Sequence, residues 1–230
     1  MCEAAKWGRR MKEKSCFVSW SGGKDACLAM YKACRLGYKP RKLVTMFSRE
    51  RSISSAHLLP EKLILAQAAA LGVEPVIGRA LFHEYEAVFV QILRELQKEE
   101  IAYGIFGDID IAEHREWEEK ACRQAGLSAV LPLWQQDRRA LLEEFITLGF
   151  KARIVVVNTA MLPAAFLGRD LSLETVAAVE AAGADACGEN GEYHTVVYDG
   201  PLFQKPVALR TGREIIPAGG SYIRLAVYVD

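Results

Sequence analysis

The stretch Val18–Cys27, VSWSGGKDAC, runs a short apolar segment straight into two glycines and a lysine, and an amphipathic pattern begins directly behind them. Cys16–Trp20 reads as a buried strand. Ala26, Ala29, Met30, Ala33 and Leu36 then recur at helical spacing up to Gly37, which predicts a helix with one apolar face. A strand-to-helix turn of this kind aims several backbone N–H groups at one point, and the helix N-terminus adds positive partial charge. Gly22 and Gly23 permit close approach, Ser21 adds a hydroxyl, Lys24 adds a full charge, and Asp25 favours the helix start. The turn suits a phosphate; the other reading is a plain tight βα turn. Two common phosphate motifs are excluded. The Walker pattern needs glycine where Val18 stands and Ser or Thr where Asp25 stands, and G-x-G-x-x-G has no match here.

Outward from the turn, Leu43–Phe47 reads as a second strand and Pro60–Leu71 as a helix stopped by Gly72. A third strand over Glu74–Ile77, a helix over His83–Glu99, a fourth strand within Ala102–Ile109, a charged helix over Ala112–Gln124 and a fifth strand within Gly126–Trp134 follow. This alternation predicts an α/β fold, a doubly wound parallel sheet covered on both faces. Beyond Trp134 the rhythm changes. Helices over Arg138–Leu148 and Ser172–Ala182 flank a β-branched strand, Ala152–Val157, and strands follow over Thr195–Tyr198, Val207–Leu209 and Tyr222–Val229. The last of these alternates apolar with polar residues, as a half-buried antiparallel strand does. The expected organisation is a larger α/β domain over residues 12–134 and a smaller α+β domain over 135–230, packed as one body.

Composition narrows the function. Lys+Arg and Asp+Glu both number 29 in 230 residues, so the chain as a whole is no polyanion binder. No apolar run reaches the ~18–20 residues that span a bilayer. The polar start MCEAAKWGRRMKEK lacks a signal-peptide core, which predicts a cytoplasmic protein. The six cysteines form no C-x-x-C pair and read as small buried side chains, not as disulfides or zinc ligands. Cys2 lacks the length of chain that an N-terminal-nucleophile domain would need before the first strand.

S-G-G-K-D at Ser21–Asp25 resembles the PP-loop, S-G-G-x-D-S, of ATP pyrophosphatases, which cleave ATP between its α- and β-phosphates; Ala26 replaces the final serine and removes one hydroxyl donor. The resemblance narrows with GDI (Gly107–Ile109), GLSAVLPLW (Gly126–Trp134), GENGEYHT (Gly188–Thr195) and YDGPLF (Tyr198–Phe203). In this order, over Cys16–Phe203, they resemble the diphthine–ammonia ligase family of the PP-loop superfamily. The helix after GDI departs from archaeal members in carrying His114 and Trp117.

The resemblance implies ATP and Mg²⁺ as cofactors and an amide-forming reaction. A carboxylate is adenylylated with release of pyrophosphate, and ammonia then displaces AMP. Ser21, Gly22, Gly23 and Lys24 would stabilise the pyrophosphate charge, with Asp25, Gly107 and Asp108 beside them at the nucleotide. The acceptor implied is diphthine on elongation factor 2 if the source is archaeal or eukaryotic, and another carboxylate otherwise. A homo-oligomer is compatible with the sequence.

Other residues carry two readings each. Glu189, Glu192 and His194 either hold a cation or orient an amine, or they belong to a solvated acidic turn. His57 sits in a polar loop at the carboxyl edge of the sheet, where ligands bind. Met46 and Phe47 either wall an adenine or fill the core. Asp108 and Asp110 either hold Mg²⁺ through water or cap the next helix. Three rival functions stand beside the ligase, one of them a purely structural or interaction protein that would need neither motif. A PP-loop RNA sulfur transferase would use the same adenylylation with paired cysteines and a basic face. A non-catalytic nucleotide-binding module would need the first motif but not GENGEYHT.

Overall fold

The structure, a computed structural model, describes residues 13–50, 53–54 and 57–229. Cys2 and the polar N-terminal stretch lie outside the described residues. The first half of the chain alternates β1 (Lys14–Ser19), α1 (Lys24–Arg35), β2 (Tyr38–Ser48), α2 (Glu61–Leu71), β3 (Glu74–Ala80), α3 (Tyr85–Lys98), β4 (Tyr103–Ile105), α4 (Ala112–Gln124) and β5 (Ser128–Val130). These strands form one sheet in the order β3-β2-β1-β4-β5, every pair parallel. The second half supplies α5 (Arg138–Thr147), β6 (Lys151–Asn158), α6 (Leu173–Ala181), β7 (Tyr193–Asp199), β8 (Leu209–Gly219) and β9 (Tyr222–Val229). Its four strands form an antiparallel sheet in the order β7-β6-β9-β8.

Strand alternation decides which helix covers which face. Cys16 and Val18 of β1 belong to one core with Ala29 and Ala33 of α1 and Leu63 and Ile64 of α2. Phe17, between them, belongs to the other, with Phe89 and Leu93 of α3 and Cys122 of α4. Its ring meets Phe89 and Phe106 edge-on. Each fully buried Phe, Leu or Ile contributes about 1.5–3 kcal/mol relative to exposure. The first core continues without a break into the antiparallel sheet through Ile154, Val156, Val196 and Val197. Among the described residues no helix is long and apolar enough to cross a membrane.

Three elements differ from the sequence-based expectation. The fourth strand is only Tyr103–Ile105; Phe106 N still bonds to Val130 O, and Gly107 beyond it packs against the start of α1 at Asp25 and Ala26. The helix expected from His83 begins as a short 3₁₀ turn, Phe82–Glu84. The strand expected over Val207–Leu209 instead begins at Leu209 and runs to Gly219. Its length comes from pairing with β9, and its own sequence, LRTGREIIPAG, does not alternate.

Candidate active site

The glycine turn lies at the carboxyl edge of the parallel sheet and is bonded on one side to β7. Gly22 adopts φ +83°, and a Cβ there would come within 2.7 Å of Leu59 Cδ1, so the position is closed to other residues. Its carbonyl accepts from Val197 N (2.9 Å) and from Gln67 Nε2 (3.0 Å). Gln67, fully buried on α2, also accepts from Trp20 Nε1 (3.0 Å) and donates to Val197 O (2.6 Å). One amide thus ties the strand exit, the turn and β7 together. Gly23 caps α1 without a side chain, and its N–H is donated to Ser21 Oγ (3.3 Å). The Lys24 N–H is donated to Thr195 Oγ1 (3.1 Å).

Beside the turn lies a cavity of about 490 Å³. Ser21, Lys24, Asp25 and Ala26 line it from the turn, Gly107 and Asp108 from the loop after β4, and Gly188, Glu189, Gly191 and His194 from the acidic loop. Gly107 is needed for contact: a Cβ there would lie 2.8 Å from Ala26 N.

Lys24 is buried, at 5% exposure. Its Nζ pairs with Asp25 Oδ2 at 2.7 Å, lies 3.9 Å from Glu189 Oε1 and sits 5.7 Å above the centre of the Tyr193 ring. Burial alone would lower its pKa, but Asp25, Tyr193, Cys187 and Glu189 outweigh burial and hold the ammonium well above its ordinary value. Glu189 responds in the opposite sense. Burial and the nearby Asp25 charge push its carboxyl up to about 7, against the pull of Lys24.

Glu192 is not among the residues that line the cavity. It is buried at 1% exposure, and its oxygens accept from Asp185 N (3.1 Å), Asn190 N (3.0 Å) and Asn190 Nδ2 (3.1 Å). The carboxylate knots the acidic loop from within and so aims Glu189. Asp185 extends the knot, accepting from Glu189 N (2.9 Å) and from Arg138 (3.0 Å). Arg138 also grips both oxygens of Asp110 at 2.7 Å, so Asp110 is an ion-pair partner and not a free carboxylate.

His57 and His194 lie together over the turn, ring centres 4.9 Å apart. His57 Nδ1 donates to Thr195 O at 2.7 Å, and its ring occupies the space beside Gly23 that a Cβ would need. Burial lowers both imidazoles, His57 to about 4 and His194 to about 3, with Lys24 adding to each. They are neutral walls near pH 7. Met46 is core: it packs with Phe89 and Ala80 in the second core and does not line the cavity. Phe47 belongs to the first core.

The sequence reading missed the α4 side of the cavity, formed by Ile111, Glu113, His114, Trp117 and Glu118 together with Tyr85. His114 Nδ1 meets Asp108 Oδ1 at 2.7 Å. Glu118 is 6% exposed, and burial, then its hydrogen bond to Asp108, push its carboxyl up to about 11. A signal was present: His114, Trp117 and Glu118 stand at i, i+3 and i+4, one face of a helix.

A parallel sheet with S-G-G-K-D at its carboxyl edge, and a second loop bonded onto that turn, define a PP-loop α/β protein. Models of the diphthamide synthase N-terminal and C-terminal domains match residues 14–129 and 137–225, and the chain belongs to this family. It is similar to the diphthine–ammonia ligases of Homo sapiens (27% identical) and Rattus norvegicus (28%), over 90% of this chain and 86% of each relative. Among solved structures it aligns with a predicted subunit of tRNA methyltransferase from Methanocaldococcus jannaschii, at TM-score 0.45 and 18% identity, over 84% of this chain and all of that one.

Proposed function

We propose that the protein is an ATP-dependent, AMP-forming amide ligase that uses ammonia, acting as its diphthine–ammonia ligase relatives are named to act. The observation that carries the reading is the bond from Lys24 N to Thr195 Oγ1. It joins the phosphate turn to the GENGEYHT loop, so a nucleotide-binding motif and an acidic motif serve one cavity. A module that only bound nucleotide would have no use for the second.

An acceptor carboxylate oxygen attacks the α-phosphorus, the bond to the β-phosphate oxygen breaks, and pyrophosphate leaves with the electron pair. Ser21, the α1 N-terminus and Lys24 stabilise that departing charge. Ammonia then attacks the acyl carbon, the C–N bond forms, the acyl C–O bond to AMP breaks with its electron pair leaving on the AMP phosphate, and the surplus proton on nitrogen passes to solvent. Glu189, poised at about 7, takes the proton that ammonium must lose to become a nucleophile. Among the described residues no three His, Cys, Asp or Glu side chains are grouped to hold a metal. Asp25 is paired with Lys24, and Asp108 with His114. The residues present do not form a resident Mg²⁺ site. Mg²⁺ fits as part of the MgATP substrate, offsetting phosphate charge before it meets Asp25 and Glu189. The acceptor is diphthine on elongation factor 2 in an archaeal or eukaryotic source, and another carboxylate in a bacterial one.

The described cysteines favour the ligase over sulfur transfer: none lines the cavity, and four of the five are buried. The test is to incubate the protein with ATP, Mg²⁺, ammonium and candidate carboxylates and to identify the nucleotide product. AMP with pyrophosphate and an amide supports the ligase. ADP, or no carboxylate-dependent turnover, counts against it.

A further inference from the structure

Arg138 and Arg139 open α5, whose first turn holds no acidic residue, a placement of positive charge that the helix dipole opposes. What offsets it for Arg138 is a fork across two loops. Its Nε and Nη2 donate to Asp110 Oδ2 and Oδ1, each at 2.7 Å, and its Nη1 donates to Asp185 Oδ2 at 3.0 Å. Arg138 itself does not line the cavity, but each partner carries one of its walls. Asp110 stands two residues beyond Asp108, and Ile109 between them accepts from Gln135 N (2.6 Å). Asp185 accepts from Glu189 N (2.9 Å) through the same oxygen that meets Arg138. Residues 106–111 and 185–192 lie outside every helix and strand, so no ladder of backbone bonds fixes one wall against the other.

We infer that Arg138 is a positioning residue: its guanidinium sets the spacing between the Asp108 wall and the Glu189 wall, and so places the Glu189 carboxylate for the ammonia step. The inference rests on the ligase reading and deepens it. A planar fork can grip two carboxylates at once, whereas a lysine supplies the charge without that geometry. The phosphate turn is held separately, by Thr195, Val197 and Gln67, so the clamp acts on amide formation and leaves nucleotide binding alone. The charged and titratable groups that face Glu189 are Lys24 and Asp25 of α1, Asp108 of the loop after β4, Arg138 of α5 and Cys187 of its own loop. Of these, Lys24 and Arg138 favour its ionised form.

The test compares full-length wild type, Arg138→Met and Arg138→Lys. ATP binding is read by calorimetry, and kcat and KM of amide formation are followed across pH. The Glu189 carboxyl is titrated by carbon-13 NMR of protein labelled at glutamate Cδ, its signal assigned by its loss in Glu189→Gln. Arg138→Met should keep wild-type ATP affinity and lower kcat by about a hundredfold, the scale of a small misplacement at a reacting centre. The Glu189 titration and the acid limb of kcat should both move to higher pH, because a carboxylate that loses a nearby cation holds its proton longer. Arg138→Lys should return the titration toward wild type while kcat stays low, since the charge is back and the fork is not. Wild-type kcat in either variant, an unmoved Glu189 titration in Arg138→Met, or loss of ATP binding in step with kcat would overturn the assignment. If Arg138→Met does not fold, Asp110→Asn, which opens the fork on one side, should lower kcat with ATP binding kept. A wild type that makes no amide counts against the ligase reading itself, and the Glu189 titration then decides the clamp alone.

Discussion

Thr195 Oγ1 accepts the first N–H of α1, at Lys24, across a separation of 171 residues. The β-branched side chain is fully buried, so this hydroxyl has no water to replace its partner. Thr195→Val should leave the Lys24 N–H unsatisfied and cost about 1–3 kcal/mol, read from urea denaturation. ATP affinity should fall with it, because the turn loses a fixed support. Thr195→Ser should restore both.

Lys24→Ala should do more than weaken ATP binding. In the sequence Lys24 is a turn residue that adds a full charge, and the structure buries it between Asp25 and Glu189. Removing the cation strands two partly buried carboxylates, and breaking such a pair from one side costs about 3–5 kcal/mol. Thermal unfolding and ATP calorimetry on the same preparation should show both losses. A variant that loses ATP binding at wild-type stability would mean that Lys24 is not held in this cage.

Glu192→Gln tests the knot in the acidic loop. The charge-assisted acceptor of three N–H bonds becomes an amide whose NH₂ must face at least one donor. Hydrogen-exchange protection should fall over residues 185–192, and amide formation should fall because Glu189 loses its aim. Selective loss of amide formation with protection unchanged would instead place Glu192 at the reacting atoms.

Stability should fall as pH rises, in part through Glu118. Its folded pKa, about 11, lies above the ordinary carboxyl value. Its contribution is therefore complete below the unfolded pKa, near 4.5, and is lost progressively toward the folded value as the unfolded chain releases the proton. Glu118→Gln removes this dependence. The variant should gain on wild type between pH 5 and 9, by up to about 1.4 kcal/mol per pH unit. Melting temperatures of the two proteins across that range provide the check, and parallel curves would count against a protonated Glu118.

What could be read from the sequence follows what is local. The turn, α1 and the β-branched β6 carry their signals within a dozen residues, and so does the closing alternation of β9. Glu192 and Met46 each admit two readings because their types fit two environments, and only the folded chain says which one each occupies. Gln67 gave no signal at all: an amide on a helix looks like surface, and its role exists only because Trp20, Gly22 and Val197 converge on it. The α4 corner had a helical face in plain view, but its meaning depends on Asp108, which a turn brings to it from the preceding strand.

The bonds from β7 to the glycine turn also bear on when the site can exist during synthesis. The ribosome releases S-G-G-K-D early, yet Thr195 and Val197, which hold that turn, emerge more than three quarters of the way along the chain. Contacts of such long range form late and slowly. A nascent or truncated chain that stops before β7 can carry the whole parallel sheet and still have no formed phosphate turn. Nucleotide capture then reports that translation has passed β7.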